Sequence, residues 1–122
     1  MANPNIVNVT SIYGNTSYLI PATSATTWTA LTPASGTVNK LDNVVASNVT
    51  SSAATITLSV NSAVSGGGTA YRIAYQISVP PNASVILIDK TTAIYVGEAQ
   101  SIVATSGTTS AIELTASYEA IT

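Results

Sequence analysis

In three separate stretches of this chain, apolar residues fall at every second position, the period of a strand with one buried face. Ala54, Ile56, Leu58 and Val60 alternate with Thr55, Thr57 and Ser59. Tyr71, Ile73, Tyr75, Ile77 and Val79 alternate with Arg72, Ala74, Gln76 and Ser78, and Ile112, Leu114, Ala116, Tyr118 and Ala120 alternate with Glu113, Thr115, Ser117 and Glu119. On this pattern Tyr71, Tyr75 and Tyr118 belong to the core. Val85-Ile86-Leu87-Ile88 is unbroken and apolar, which suits a strand covered on both faces, in the middle of a sandwich or under a neighbouring subunit. Residues 93–96 and 101–105 read as shorter strands. Residues 38–49 read as a long one, with Leu41, Asn43 and Val45 opposed to Lys40, Asp42 and Val44 and the inward face undecided.

Turn-forming residues separate these runs: Pro33-Ala34-Ser35-Gly36, Asn61 to Gly68, Pro80-Pro81-Asn82, Asp89-Lys90 and Ser106-Gly107-Thr108. No stretch carries a helical stripe. The chain is therefore expected to be all-β: an antiparallel β-sandwich, jelly-roll-like or Greek-key, of seven to nine strands. Its 122 residues suit one domain. Residues 37–122 form the sandwich core, and residues 1–36, where alternation weakens, supply either an N-terminal arm on a neighbouring chain or the first strands.

Charge narrows the function. Only three basic and five acidic residues are present, with no histidine and no cysteine. Ser-His-Asp and Cys-His catalysis, imidazole and thiolate metal sites, and disulfides are thereby excluded. A net charge of −2 is the wrong sign for holding phosphates, so no nucleic-acid partner is expected. No apolar run reaches the length of a membrane span, and the N-terminus lacks the basic and apolar blocks of a secretory signal.

The remaining motifs favour contact over chemistry. Glu113 and Glu119 sit six residues apart on one strand face, roughly 20 Å, too far for a glycosidase pair. Asp89 and Glu98 lack the spacing of a calcium loop. Gly66-Gly67-Gly68-Thr69 has no lysine to complete a phosphate loop and reads as a hairpin loop. Four Asn-X-Ser/Thr sequons, at Asn8, Asn15, Asn48 and Asn82, are chance matches in so Asn-, Ser- and Thr-rich a chain. Lys40 or Lys90 forming an amide with an Asn beside a buried acid is a minor alternative. No catalytic, cofactor-binding or metal-binding residue is nominated, no cofactor is expected, and the chain is not expected to be an enzyme. The candidates are interface residues in the weakly patterned segment: Ile6, Val7, Val9, Ile12, Tyr13, Tyr18, Ile20 and Trp28.

Four stretches carry a family resemblance: residues 1–14 (MANPNIVNVTSIYG), 69–80 (TAYRIAYQISVP), 87–98 (LIDKTTAIYVGE) and 116–119 (ASYE). Together they resemble a small virion structural protein of tailed bacteriophages that infect marine cyanobacteria. The likeness covers most of the chain and weakens between about Ala22 and Gly36. It implies a non-enzymatic component of the particle, a capsid decoration or cement protein by preference. The alternative is a receptor-binding or structural module of a tail fibre, spike or neck. Placement within the particle does not follow from the likeness; the expectation adopted is contact with the major capsid protein or other virion proteins, a homo-oligomer with a trimer favoured, and assembly in the host cytoplasm into the virion, with the capsid surface favoured. A reducing interior agrees with the missing cysteines.

Overall fold

The computed structural model describes residues 4 to 122, so Met1, Ala2 and Asn3, which open the stretches examined for a signal and for the resemblance, lie outside the described residues. Nine strands follow in order: β1 (Ile12–Leu19), β2 (Thr26–Thr27), β3 (Val38–Asn48), β4 (Ala54–Asn61), β5 (Ala70–Val79), β6 (Ser84–Ile88), β7 (Ile94–Val96), β8 (Ser101–Ser106) and β9 (Ile112–Ile121). Three single-turn 3-10 helices, Thr29–Leu31, Val64–Gly66 and Lys90–Thr92, sit in the connections.

The strands form two antiparallel sheets. The first runs β1-β9-β3-β6, with β7 also on β3, and the second runs β2-β8-β4-β5. With β6 and β7 counted as one interrupted strand, the first pairs with the last, the second with the second-last, and so inward to the β4–β5 hairpin. That is a hairpin rolled into two layers, the jelly roll. The all-β sandwich expected from the periodicity is the fold observed.

Between the layers lie Trp28, Leu31, Leu41, Val44, Ile56, Leu58, Ile88, Ile102, Ile112 and Leu114. Trp28 is 1% exposed; its main-chain N–H donates to the Ile102 carbonyl at 2.8 Å and its indole Nε1 to the Ser17 hydroxyl at 3.1 Å. The expectation that Trp28 serves an interface is corrected: an apolar ring with one donor is satisfied inside by a neutral hydroxyl on the facing sheet.

Strict alternation fails at the bulges, where one extra residue reverses the side-chain parity. On β3 the register with β9 shifts between Leu41 and Asn43, so Asp42 is the extra residue. The inward set is then Asn39 and Leu41 before the shift and Val44, Ala46 and Asn48 after it, which is why no single inward face was legible there. On β5 two shifts flank Ala74, which is buried, and Gln76 has a positive φ of 49°. Tyr75, inside the second shift, is left outside at 59% exposed, and Tyr71, paired with Val60 before either shift, is 61% exposed on this edge strand, which corrects the placement of both in the core. The Arg72 guanidinium lies 5.3 Å from the centre of the Tyr75 ring, a cation–π contact that covers part of it. Tyr118 does pack against the core, with its hydroxyl donating to the Ala30 carbonyl at 3.3 Å.

Nor is β6 covered on both faces within the chain. It is an edge strand, and Ile86 is 61% exposed.

The loop between β4 and β5 folds onto the outer face of the second sheet. Asn61 Nδ2 donates to the Gly66 carbonyl, Gly66 N–H to the Ser101 hydroxyl, and that hydroxyl to the Ala63 carbonyl, at 2.9, 2.9 and 2.7 Å. Gly68 has a φ of +70°, and a Cβ there would stand 2.9 Å from the Ala63 nitrogen.

Two substitutions test this packing. Trp28→Ala should lower unfolding free energy by about 3–5 kcal/mol through the cavity it leaves, measured by urea denaturation. Gly68→Ala should cost roughly 1–2 kcal/mol or more, from left-handed strain and the clash with backbone; an unchanged midpoint would show that the loop can relax.

Candidate interaction surface

The outer face of the first sheet carries a band that the registers align across four strands. Tyr18 on β1 faces Thr115 on β9, Thr115 faces Val45 on β3, and Val45 faces Ile86 on β6. Directly opposed residues of an antiparallel pair share a face, so these four side chains form one row. Tyr18 is 79% exposed at one end, Ile86 lies open at the other, and Val45 is half-buried between them. Beside Tyr18 the row opens into a groove of about 370 Å³ lined by Tyr18, Leu19, Ile20, Glu113, Leu114 and Thr115.

Seven of the eight nominated interface residues lie at or near the surface. Ile6, Val7, Ile12, Tyr13, Tyr18 and Ile20 are exposed and Val9 is half-buried, whereas Trp28 is internal. Only Tyr18 and Ile20 reach the groove. Sequence reasoning missed Val45 and Ile86, because membership of the band depends on cross-strand register.

At the other end of the same face the few charges gather. Lys40, Asp42, Asn43, Lys90 and Glu119 line a depression of about 610 Å³, so four of the eight charged residues of the chain meet there. Lys40 Nζ stands 3.8 Å from Asp42 Oδ1 and 4.0 Å from Glu119 Oε2. The bulge brings Asp42 beside Glu119: pairing alone sets Lys40 opposite Glu119, and the extra residue adds a second carboxylate to the same side. Its hydrogen bond to Glu119, partial desolvation and its like charge raise the Glu119 pKa, against the lowering influence of Lys40 and Lys90.

The other acidic residues serve the backbone. Asp89 caps the Lys90–Thr92 turn, its Oδ1 accepting from Thr91 N–H at 2.9 Å, Thr91 Oγ1 at 2.6 Å and Thr92 N–H at 3.1 Å. Those bonds, from Thr91 first, lower its pKa. Glu98 Oε1 accepts from Gly36 N–H, so Asp89 and Glu98 belong to different local structures. Among the described residues no three acidic side chains converge as metal ligands, and no helix is long and apolar enough to cross a membrane. Glu113 borders the apolar groove and Glu119 the charged depression.

The Glu119 shift has a pH signature. Its folded-state pKa lies above the unfolded value, so its contribution to stability is complete below the unfolded pKa and is lost as pH rises through the folded one. Glu119→Gln stays neutral throughout. Its stability relative to the parent should therefore rise as pH increases from the unfolded pKa of a glutamate through the raised folded one, read as urea midpoints; a difference that stays constant would contradict the raised Glu119 pKa.

Comparison with family models, with curated proteins and with solved structures finds no match to this chain.

Proposed function

We propose that the chain is a non-enzymatic structural protein of a virus particle, a decoration or cement subunit that holds to the head shell through the outer face of its first sheet. The aligned band Tyr18, Thr115, Val45 and Ile86 carries this reading, because it sets aromatic and branched apolar side chains in one row on an outer face where four charged residues gather at the opposite end and Glu113 alone borders the groove beside Tyr18. Jelly rolls serve in viral shells, an analogy of fold that supports the reading. The likeness to virion proteins of marine cyanophages points the same way.

A fibre or spike module that stacks host sugars is the second reading. Tyr71 and Tyr75, open on the opposite sheet, favour it.

Quantitative mass spectrometry of purified particles tests the first reading. The chain should be present in numbers comparable with the shell subunits; only enough copies for one ring of a neck or fibre would contradict it. Tyr18→Ser with Ile86→Ser should reduce occupancy of shells at least tenfold, equivalent to about 1.4 kcal/mol or more, while the melting transition stays cooperative. Apolar contact is little screened, so occupancy should change little up to roughly 0.5 M salt. Release by salt alone would overturn the apolar-face account.

A further inference from the structure

Natural sheets protect their edges with short strands, bulges, charge or proline, because an open edge presents unpaired N–H and C=O groups. Three of the four edges here follow that rule. The β5 edge is bulged on both sides of Ala74 and carries Arg72. The β6 and β7 edge is broken by the Asp89-capped turn, with β6 shifted in register and β7 only three residues long, and β2 has two residues.

The β1 edge has no such device. Its eight residues, Ile12 to Leu19, contain no charge and no proline, and they pair with β9 without a register shift. Which backbone groups are open follows from the ladder. Ser11 and Thr122 exchange N–H···O bonds in both directions, at 3.2 and 2.9 Å. By antiparallel alternation Tyr13, Asn15, Ser17 and Leu19 then bond to β9, and the backbone groups of Ile12, Gly14, Thr16 and Tyr18 point the other way. Among the described residues, nothing in the chain bonds to those four.

We propose that β1 is an assembly edge, pairing antiparallel with β1 of a second copy about a two-fold axis at Asn15 and joining two five-stranded sheets into one. Only this register engages all four open residues of each copy. It sets Ile12 against Tyr18 of the second copy and Gly14 against Thr16, with the two Asn15 residues facing each other as a non-hydrogen-bonded pair. The strand is self-complementary on three counts. The aromatic and branched pair shares a face, the glycine leaves room opposite the threonine, and an uncharged strand does not repel its copy. Closure about the two-fold uses both open edges, so assembly ends at two. The band beginning at Tyr18 then continues from one copy into the next. This pairing takes the place of the trimer favoured from the sequence, and it does not depend on the virion reading.

Sedimentation of the purified full-length chain, without particles, tests it. The parent should be a dimer; a monomer, a trimer or open-ended association at concentrations of about 100 μM would overturn the proposal. Thr16→Pro removes an outward N–H and spares the β9 ladder, so it should weaken dimerisation roughly tenfold or more and leave a folded monomer. Asn15→Pro, which removes an inward N–H, should unfold the chain. A Thr16→Pro variant that dimerises as the parent does would refute edge pairing. The register is read by cross-linking in this cysteine-free chain. Asn15→Cys should oxidise to a disulfide dimer, since facing Cα atoms of such a pair lie about 4.5 Å apart, whereas Ile12→Cys should not. Equal cross-linking at both positions would refute the two-fold at Asn15.

Discussion

The last strand holds the roll together. β9 lies between β1 and β3 in the first sheet, paired with β3 from end to end and with β1 from Leu114 to Ile121, so the chain's end closes onto its beginning. Neither sheet can bury its apolar face until the other is in place, and the first sheet lacks its centre until residues 112–121 arrive. Pairing of such large sequence separation makes formation slow, as expected of a sheet whose contacts are non-local. It also leaves β1 held from one side alone.

The interior manages its polar groups without ions. Ser17, Thr37, Asn39, Asn48, Ser59, Asn61, Ser101 and Ser106 are buried, and all are neutral. Asn48 shows the economy of this arrangement: its Nδ2 donates to the Ser52 and Val79 carbonyls at 2.8 and 3.0 Å, and its Oδ1 accepts from Thr50 N–H at 2.9 Å. An amide satisfied in this way ties β3, the following turn and β5 at much lower desolvation cost than a charge would incur. Few charges then remain to mark which surfaces face water, and apolar side chains such as Tyr18 and Ile86 stay open on the outer face.

The all-β sandwich class and most strand positions were legible because period-two alternation survives in β4 and β9, which have a buried face throughout their middle. It left the inward face undecided at β3 and misled at β5. There the side chains of Asn43, Val44, Tyr71 and Tyr75 give no local sign of an extra residue, since a bulge is set by pairing with a partner far along the chain. A mixed step such as Lys40, Asp42, Val44, charged then apolar within one supposed face, was the available hint. Ile86 was read as covered because an unbroken apolar run does not distinguish an interior strand from an edge strand whose outer face is open. The charge-poor composition pointed to contact rather than catalysis, while the band itself became visible only through register.

Amide hydrogen exchange, resolved by residue, measures most directly whether the first strand is held from one side. In dilute solution the amides of Tyr13, Asn15, Ser17 and Leu19 should exchange slowly with the core, and those of Ile12, Gly14, Thr16 and Tyr18 rapidly. As concentration rises, the second set should slow. Equal protection of both sets at high dilution would mean that the edge is covered within the chain and would contradict this account.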